Sequence, residues 1–167
     1  PIISTTAPQI LTCSVLNVPV NGTVSQPASG FSISWSTANG NIVSGQNTLT
    51  PVVNEPGTYV MTVQNTQNGC TTTSQTTVGQ NITPPLAPAA APSQITCAVT
   101  SVSLDGAGSS VGAGIIYAWS GAQITGGQGT LTPVVAATGP YTLTVTDPSN
   151  GCTTSATNPR WPTSSWS

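Results

Sequence analysis

The sequence predicts an all-β protein of two tandem β-sandwich repeats, and three observations carry that reading. The chain repeats itself: "SGQNTLTPVV" at 44–53 returns as "GGQGTLTPVV" at 126–135, and "QNGCTTTS" at 67–74 returns as "SNGCTTSA" at 149–156. Apolar residues alternate with period two, the mark of half-buried strands. Phe31, Ile33 and Trp35 share one face, as do Ile115, Tyr117 and Trp119; Tyr59, Met61 and Val63 share another, as do Tyr141, Leu143 and Val145. Turn dipeptides punctuate the runs, among them Asn21-Gly22, Asn39-Gly40, Pro56-Gly57, Asn68-Gly69 and Asn150-Gly151. Helical periodicity nowhere lasts beyond about two turns.

Taken in order, residues 1–80 form the first repeat, led by an extended segment at 1–8. Residues 94–157 form the second. Cys13 matches Cys97, Trp35 matches Trp119, Tyr59 matches Tyr141 and Cys70 matches Cys152. The Cys-to-Trp spacing is the same in both, 22 residues (35 − 13 and 119 − 97). Between the repeats, 81–93 opens with "NITPPLAPAAAP". Proline removes backbone donors and favours extended geometry, so this stretch reads as a semi-rigid spacer. A tail at 158–167 lies outside the repeat pattern. The chain starts at Pro1 without a signal peptide, as a processed or excised segment would.

Composition excludes several function classes. Only 2% of the 167 residues are charged: Arg160, Glu55, Asp105 and Asp147. One arginine cannot neutralise the phosphates of a nucleic acid or hold an anionic membrane surface. No apolar run is long enough to span a bilayer. With 20 Ser and 29 Thr, the surface is polar but nearly neutral. It lacks the charge repulsion that keeps soluble proteins apart, which suits self-association or a coat of glycan.

Four cysteines in so Thr-rich a chain point to an oxidising compartment and to disulfides. Three pairings exist, and repeat symmetry favours Cys13–Cys70 and Cys97–Cys152. Zinc would want closely spaced Cys pairs, and none occurs.

The order Cys, Trp, Tyr, Cys on short strands resembles the immunoglobulin-like superfamily. More narrowly, "ITCAVTSVSLDGAGSS…YAWSG…YTLTVTDPSNGCTTSA" resembles the repeated domains of giant bacterial surface adhesins, especially of Bacteroidetes, and is similar to polycystic-kidney-disease-type modules. The resemblance covers both repeats. It implies a sandwich fold and a place at the cell surface, and says little of a ligand. Antibody domains place the second Cys two residues after the strand-F Tyr. Here it follows by 11 (70 − 59 and 152 − 141), so the expected bridge ties strand B to the start of strand G. Linkers of such adhesins often carry acidic residues for calcium; this one has Asn81 and no carboxylate, so calcium stiffening is not expected.

Trp35 and Trp119 are expected as core pillars, and Tyr59 and Tyr141 as inward rings whose hydroxyls bond near the E–F corner. Asp105 and Asp147 are the one candidate carboxylate pair, a weak metal site with no third acid or His to support it. Glu55 reads as a solvated acid. "GSSVG" at 108–112 matches the nucleophile-elbow pattern at Ser110, but a chain without His lacks the base. No catalytic residue and no cofactor are expected. Asn21-Gly22-Thr23 and Asn81-Ile82-Thr83 fit the N-glycosylation pattern.

The sequence thus reads as a non-enzymatic extracellular building block of a surface adhesin or self-assembling filament. The alternative is a glycan- or surface-binding module acting through its loops. The partner is another copy joined head to tail, or a neighbouring repeat. The expected subunit contacts are Ile2 and Ile3, on a β-branched segment suited to augment a neighbour's sheet edge, with Trp161 and Trp166.

Overall fold

The computed structural model describes residues 2–6, 9–25 and 30–159. They carry sixteen strands and no helix. In chain order these are β1 (Ile3–Thr6), β2 (Leu11–Thr12), β3 (Val18–Pro19), β4 (Asn21–Val24), β5 (Phe31–Thr37), β6 (Ile42–Ser44), β7 (Val52–Val53) and β8 (Gly57–Asn65). There follow β9 (Thr71–Val78), β10 (Gln80–Asn81), β11 (Val102–Ser103), β12 (Ile116–Ser120), β13 (Ile124–Gly126), β14 (Val134–Val135), β15 (Thr142–Asp147) and β16 (Cys152–Thr157). The chain divides into two compact units, residues 1–82 and 83–167.

Each unit is an immunoglobulin-like β-sandwich. In the first, an antiparallel sheet of order β5-β8-β9 accompanies a sheet of order β3-β7-β6. The second repeats this as β12-β15-β16 and β11-β14-β13. Even the irregularity recurs: pairing shifts between Ile42 and Ser44 on β6, and between Ile124 and Gly126 on β13. β8 shows why these segments are strands. Tyr59, Met61 and Val63 point inward and are fully buried, while Thr58, Val60 and Thr62 alternate with them. The first core holds Trp35, Tyr59, Met61, Val18, Val20, Val53, Val63 and Val78 with Leu11. The second holds Trp119, Tyr141, Leu143, Val145, Val135, Val102 and Leu104 with Ala87.

The segments at the unit edges differ from the sequence reading. β1 does not project from its repeat. It pairs antiparallel with β4, Ile3 opposite Val24 and Thr6 opposite Asn21. On its other side the Thr5 hydroxyl donates to the Gln75 carbonyl of β9 at 2.9 Å. Ile3 packs against the first core, so the ladder expected to augment a neighbour is already filled at home. Ile2 is 79% exposed, with its backbone bonded to Ser25.

The expected spacer at 81–93 is likewise built into the repeats. Asn81 pairs with Thr12 through β10 and β2. Farther on, Leu86 exchanges bonds with Ser110, its amide donating to Ser110 Oγ at 2.8 Å and its carbonyl accepting from Ser110 N at 3.0 Å. The Ala90 amide donates to the Asp105 carbonyl at 3.0 Å. Pro85 and Ala87 are buried and Ala89 is half-buried, a period-two pattern. Proline lacks a donor, but the residues between the prolines supply one, so an extended Pro-rich chain can line a sheet edge. By the repeat offset of 84 (97 − 13), Ala87 and Ala90 stand where Ile3 and Thr6 stand in the first repeat.

Candidate functional site

The aromatic residues are structural in both repeats. Trp35 and Trp119 are buried, and each indole N–H donates to a backbone carbonyl, that of Thr48 at 2.9 Å and that of Thr130 at 3.0 Å. Gln46 and Gln128 return the favour, donating to the carbonyls of Trp35 and Trp119. The Tyr59 hydroxyl donates to the Glu55 carbonyl at 2.6 Å, and the Tyr141 hydroxyl to the Ala137 carbonyl at 2.7 Å. A bond reaching back four residues at this corner is the tyrosine corner of such sandwiches. Tyr59 also accepts from the Asn41 amide, and Tyr141 also meets the Ala122 carbonyl. Burial pushes both phenol pKa values up, because the phenolate would lose its water.

The acids serve turns. Asp105 is exposed, and its Oδ1 accepts from the Ala107 amide at 2.8 Å. Asp147 Oδ1 accepts from the Ser149 hydroxyl at 2.6 Å and the Ser149 amide at 2.9 Å, which hold its carboxyl below the usual value. Among the described residues no three of His, Cys, Asp or Glu gather into a metal-binding group. Ser110, at the centre of the elbow-like motif, uses its Oγ to accept from Leu86, and its carbonyl accepts from the Tyr117 hydroxyl. Glu55 and Asn21 are exposed. Trp161 and Trp166 lie outside the described residues.

The cysteines hold the chemistry. Cys13 and Cys152 are each disulfide-bonded, whereas Cys70 and Cys97 are exposed free thiols. The within-repeat pairing expected from symmetry, Cys13–Cys70 and Cys97–Cys152, is therefore not the one formed. Strand register supplies the reason. Cys13 follows Thr12, opposite Asn81, beyond the tail of β9; Cys70 stands just before the head of that strand. Eight residues of strand separate the two sites by about 26 Å, whereas a disulfide needs Cα atoms within about 7 Å.

Both cysteine types recur in matching local structure. Cys70 and Cys152 each follow a glycine of positive φ (Gly69 +73°, Gly151 +71°) in the hairpin between the last two long strands. Their amides donate to Asn68 Oδ1 and Asn150 Oδ1, at 3.0 and 2.9 Å. Cys13 and Cys97 sit in turns where Thr12 N donates to Val15 O and Thr96 N to Val99 O, both at 2.9 Å. The threonine hydroxyls close those turns, accepting from Val15 N and Val99 N at 3.0 Å. Each repeat thus carries one cysteine at each pole. Sequence symmetry identified the equivalent positions.

No family model matches the chain, and no curated protein matches it. Among solved structures it is similar to the three N-terminal domains of the bacteriophage RB49 Highly Immunogenic Outer Capsid protein. The identity is 18% and the TM-score 0.46, covering 93% of this chain and 57% of that one. A structure on Dscam isoform specificity is 10% identical, with a TM-score of 0.34 and coverage of 95% and 50%. Murine CEACAM1b is 15% identical, with a TM-score of 0.33 and coverage of 96% and 98%. The chain spans about half the length of the first two.

Proposed function

We propose that this chain is a non-enzymatic extracellular building block, a tandem unit of a bacterial surface adhesin or of a self-assembling filament. The observation that carries this reading is the duplication of one closed, fully bonded sandwich. Each aromatic pillar is spent on its own core, and the acids are committed to turns. No buried side-chain polar atom among the described residues lacks a partner. Functional sites are where strain and unsatisfied groups collect, so such consistency favours a load-bearing or spacing role. The disulfide favours an oxidising, extracellular setting, since thiols in the cytosol are kept reduced. The nearly uncharged surface removes the usual barrier to stacking copies.

Negative-stain imaging of the native material at its source tests this. Fibres or surface stalks with a regular axial repeat are the expected result. Dispersed single molecules that bind a defined glycan stoichiometrically would shift the reading to a recognition module. Hydrolytic turnover abolished by Asp105→Asn with Asp147→Asn would overturn the non-enzyme assignment.

A further inference from the structure

The chain carries four Asn-Gly pairs, at 21–22, 39–40, 68–69 and 150–151. Glycine puts no side chain beside the preceding carboxamide, so its amide nitrogen can reach the asparagine Cγ and close a succinimide. Whether it does so depends on what already holds that amide. In three pairs the amide is held: Gly22 donates to the Leu49 carbonyl, Gly69 to Asn65 and Gly151 to Asp147, each at 2.8 Å. Gly22 is also buried on β4. Asn150 is buried too, and its Nδ2, the group that must leave, donates to the Thr83 carbonyl at 3.0 Å. Asn39-Gly40 differs. Asn39 is exposed, and the Gly40 amide donates to no acceptor among the described residues. Asn68 is exposed like Asn39, so between these two the bond on Gly69 decides. Asn39 Oδ1 accepts from the Thr58 amide at 3.0 Å, which holds the carboxamide still and polarises Cγ. An N–H aimed at an oxygen that gains charge stabilises the tetrahedral intermediate. We propose that Asn39 is a spontaneous modification site, which converts to isoaspartate and aspartate in the folded protein and so opens the tyrosine corner of the first repeat.

The chemistry needs only water. Hydroxide takes the Gly40 amide proton, and the nitrogen attacks Asn39 Cγ. The bond from Cγ to Nδ2 breaks, and ammonia leaves with a proton from water. A water molecule then adds to either succinimide carbonyl and breaks one of its two C–N bonds. Opening at the side-chain carbonyl gives aspartate. Opening at the main-chain carbonyl gives isoaspartate, whose chain runs on through Cβ and Cγ and is one carbon longer. In balance, one water is consumed and one ammonia is released. Either product adds a carboxylate to a chain whose acidic side chains number three.

The loop that would take up the extra carbon is tightly packed. A Cβ on Gly40 would lie 2.7 Å from Tyr59 Cζ and closer still to the hydroxyl, and one on Gly57 would lie 2.7 Å from the Asn39 carbonyl oxygen. The Tyr59 hydroxyl accepts from the Asn41 amide at 3.1 Å and donates to the Glu55 carbonyl at 2.6 Å. Lengthening the chain between Asn39 and Gly40 therefore displaces the backbone that these bonds fix. The second repeat supplies a control within the same molecule. It presents Gly121 to Tyr141 and has no Asn-Gly pair between β12 and β13.

The test incubates the purified full chain in mildly alkaline buffer made with heavy-oxygen water and maps the label by peptide mass spectrometry. Position 39 is expected to take up label at least about fivefold faster than 21, 68 or 150, the factor that one extra hydrogen bond imposes on each of those. In denaturant no bond protects any glycine amide, so the rates at all four pairs should converge. The separated isoaspartate form should unfold its first repeat at lower denaturant than fresh protein, with the second repeat unmoved. Asn39→Asp keeps the Oδ1 acceptor and the chain length, so its midpoint should match that of fresh protein. Label entering at Asn68 as fast as at Asn39 in the folded chain, or the same ranking in denaturant as in the fold, would overturn the site. An isoaspartate form with an unchanged midpoint would overturn its effect on the corner.

Discussion

The two repeats share a core and differ at their edges. Trp, Gln and Tyr make the same hydrogen bonds in each, and a glycine faces the tryptophan in each. A Cβ at Gly22 would push on the Met61 sulfur, and one at Gly106 would lie 3.0 Å from Leu143 Cδ2, so a larger residue at either position asks the core side chains to shift. The edges tell another story. The first repeat closes with a hydrogen-bonded strand, β1, and the second with an extended Pro-Ala segment that makes only scattered bonds. Cys70 and its Asn68 are exposed, whereas their counterparts Cys152 and Asn150 are 1% and 2% exposed. Asn150 also donates to the Thr83 carbonyl at 3.0 Å. Core positions are dictated by packing one sandwich, so duplication preserves them. Edge positions answer to whatever the chain does next, so they are where two copies of one unit diverge.

The largest expected effect tests how separate the cores are. Trp35→Ala and Trp119→Ala should each cost about 3–5 kcal/mol, most of the stability of a small domain. Each should unfold its own repeat first, seen as loss of that repeat's amide signals in a heteronuclear spectrum. Simultaneous loss of both sets would show that the repeats fold as one unit.

Next in size is the disulfide. Cys13→Ser removes a disulfide-bonded cysteine. Losing a disulfide should cost about 2–4 kcal/mol. Cys70→Ser, at an exposed free thiol, should move the denaturation midpoint by less than the equivalent of about 0.5 kcal/mol. Equal losses from the two variants would restore the within-repeat pairing.

Ala87→Asp sharpens the contrast between the edges. A spacer residue would tolerate the change, but Ala87 is 7% exposed within the second core, and burying a carboxylate there should cost about 2 kcal/mol or more. The thermal transition of the second repeat should fall and that of the first should not.

The tyrosine corners give effects of similar size to Ala87→Asp. Tyr59→Phe and Tyr141→Phe should each cost about 1–3 kcal/mol by leaving inner carbonyls without a donor. Their raised pKa values also set an alkaline limit. The folded state holds the phenol proton more tightly, so this stability is intact below the unfolded value of about 10 and is lost as pH rises through the folded values. Asp147 acts oppositely: its lowered value favours the fold above the ordinary Asp value of about 3.9, and that contribution disappears as pH falls through the folded value. Denaturation midpoints should therefore fall above about pH 10 and show only a shallow acid limb. A steep acid limb would mean that more than one exposed carboxylate matters.

Strand positions and the aromatic core were legible because they are local. Period two places Tyr59, Met61 and Val63 on one face wherever the strand lies, and a Trp between alternating apolar residues has nowhere better to go. Two repeats of one pattern must then build two cores of one kind. The cysteine pairing, the home of the Ile2–Thr6 segment and the fate of the Pro-rich stretch were decided only by tertiary structure. A disulfide depends on which cysteines come within about 7 Å, and symmetry of sequence does not fix that. β1 could have paired with any open edge; β4 and β9 supplied one within the same unit. Proline content predicts an extended chain, and extension is compatible with both a free spacer and a buried edge. The small side chains at 87 and 89 fit against the second core, and that packing settled the choice.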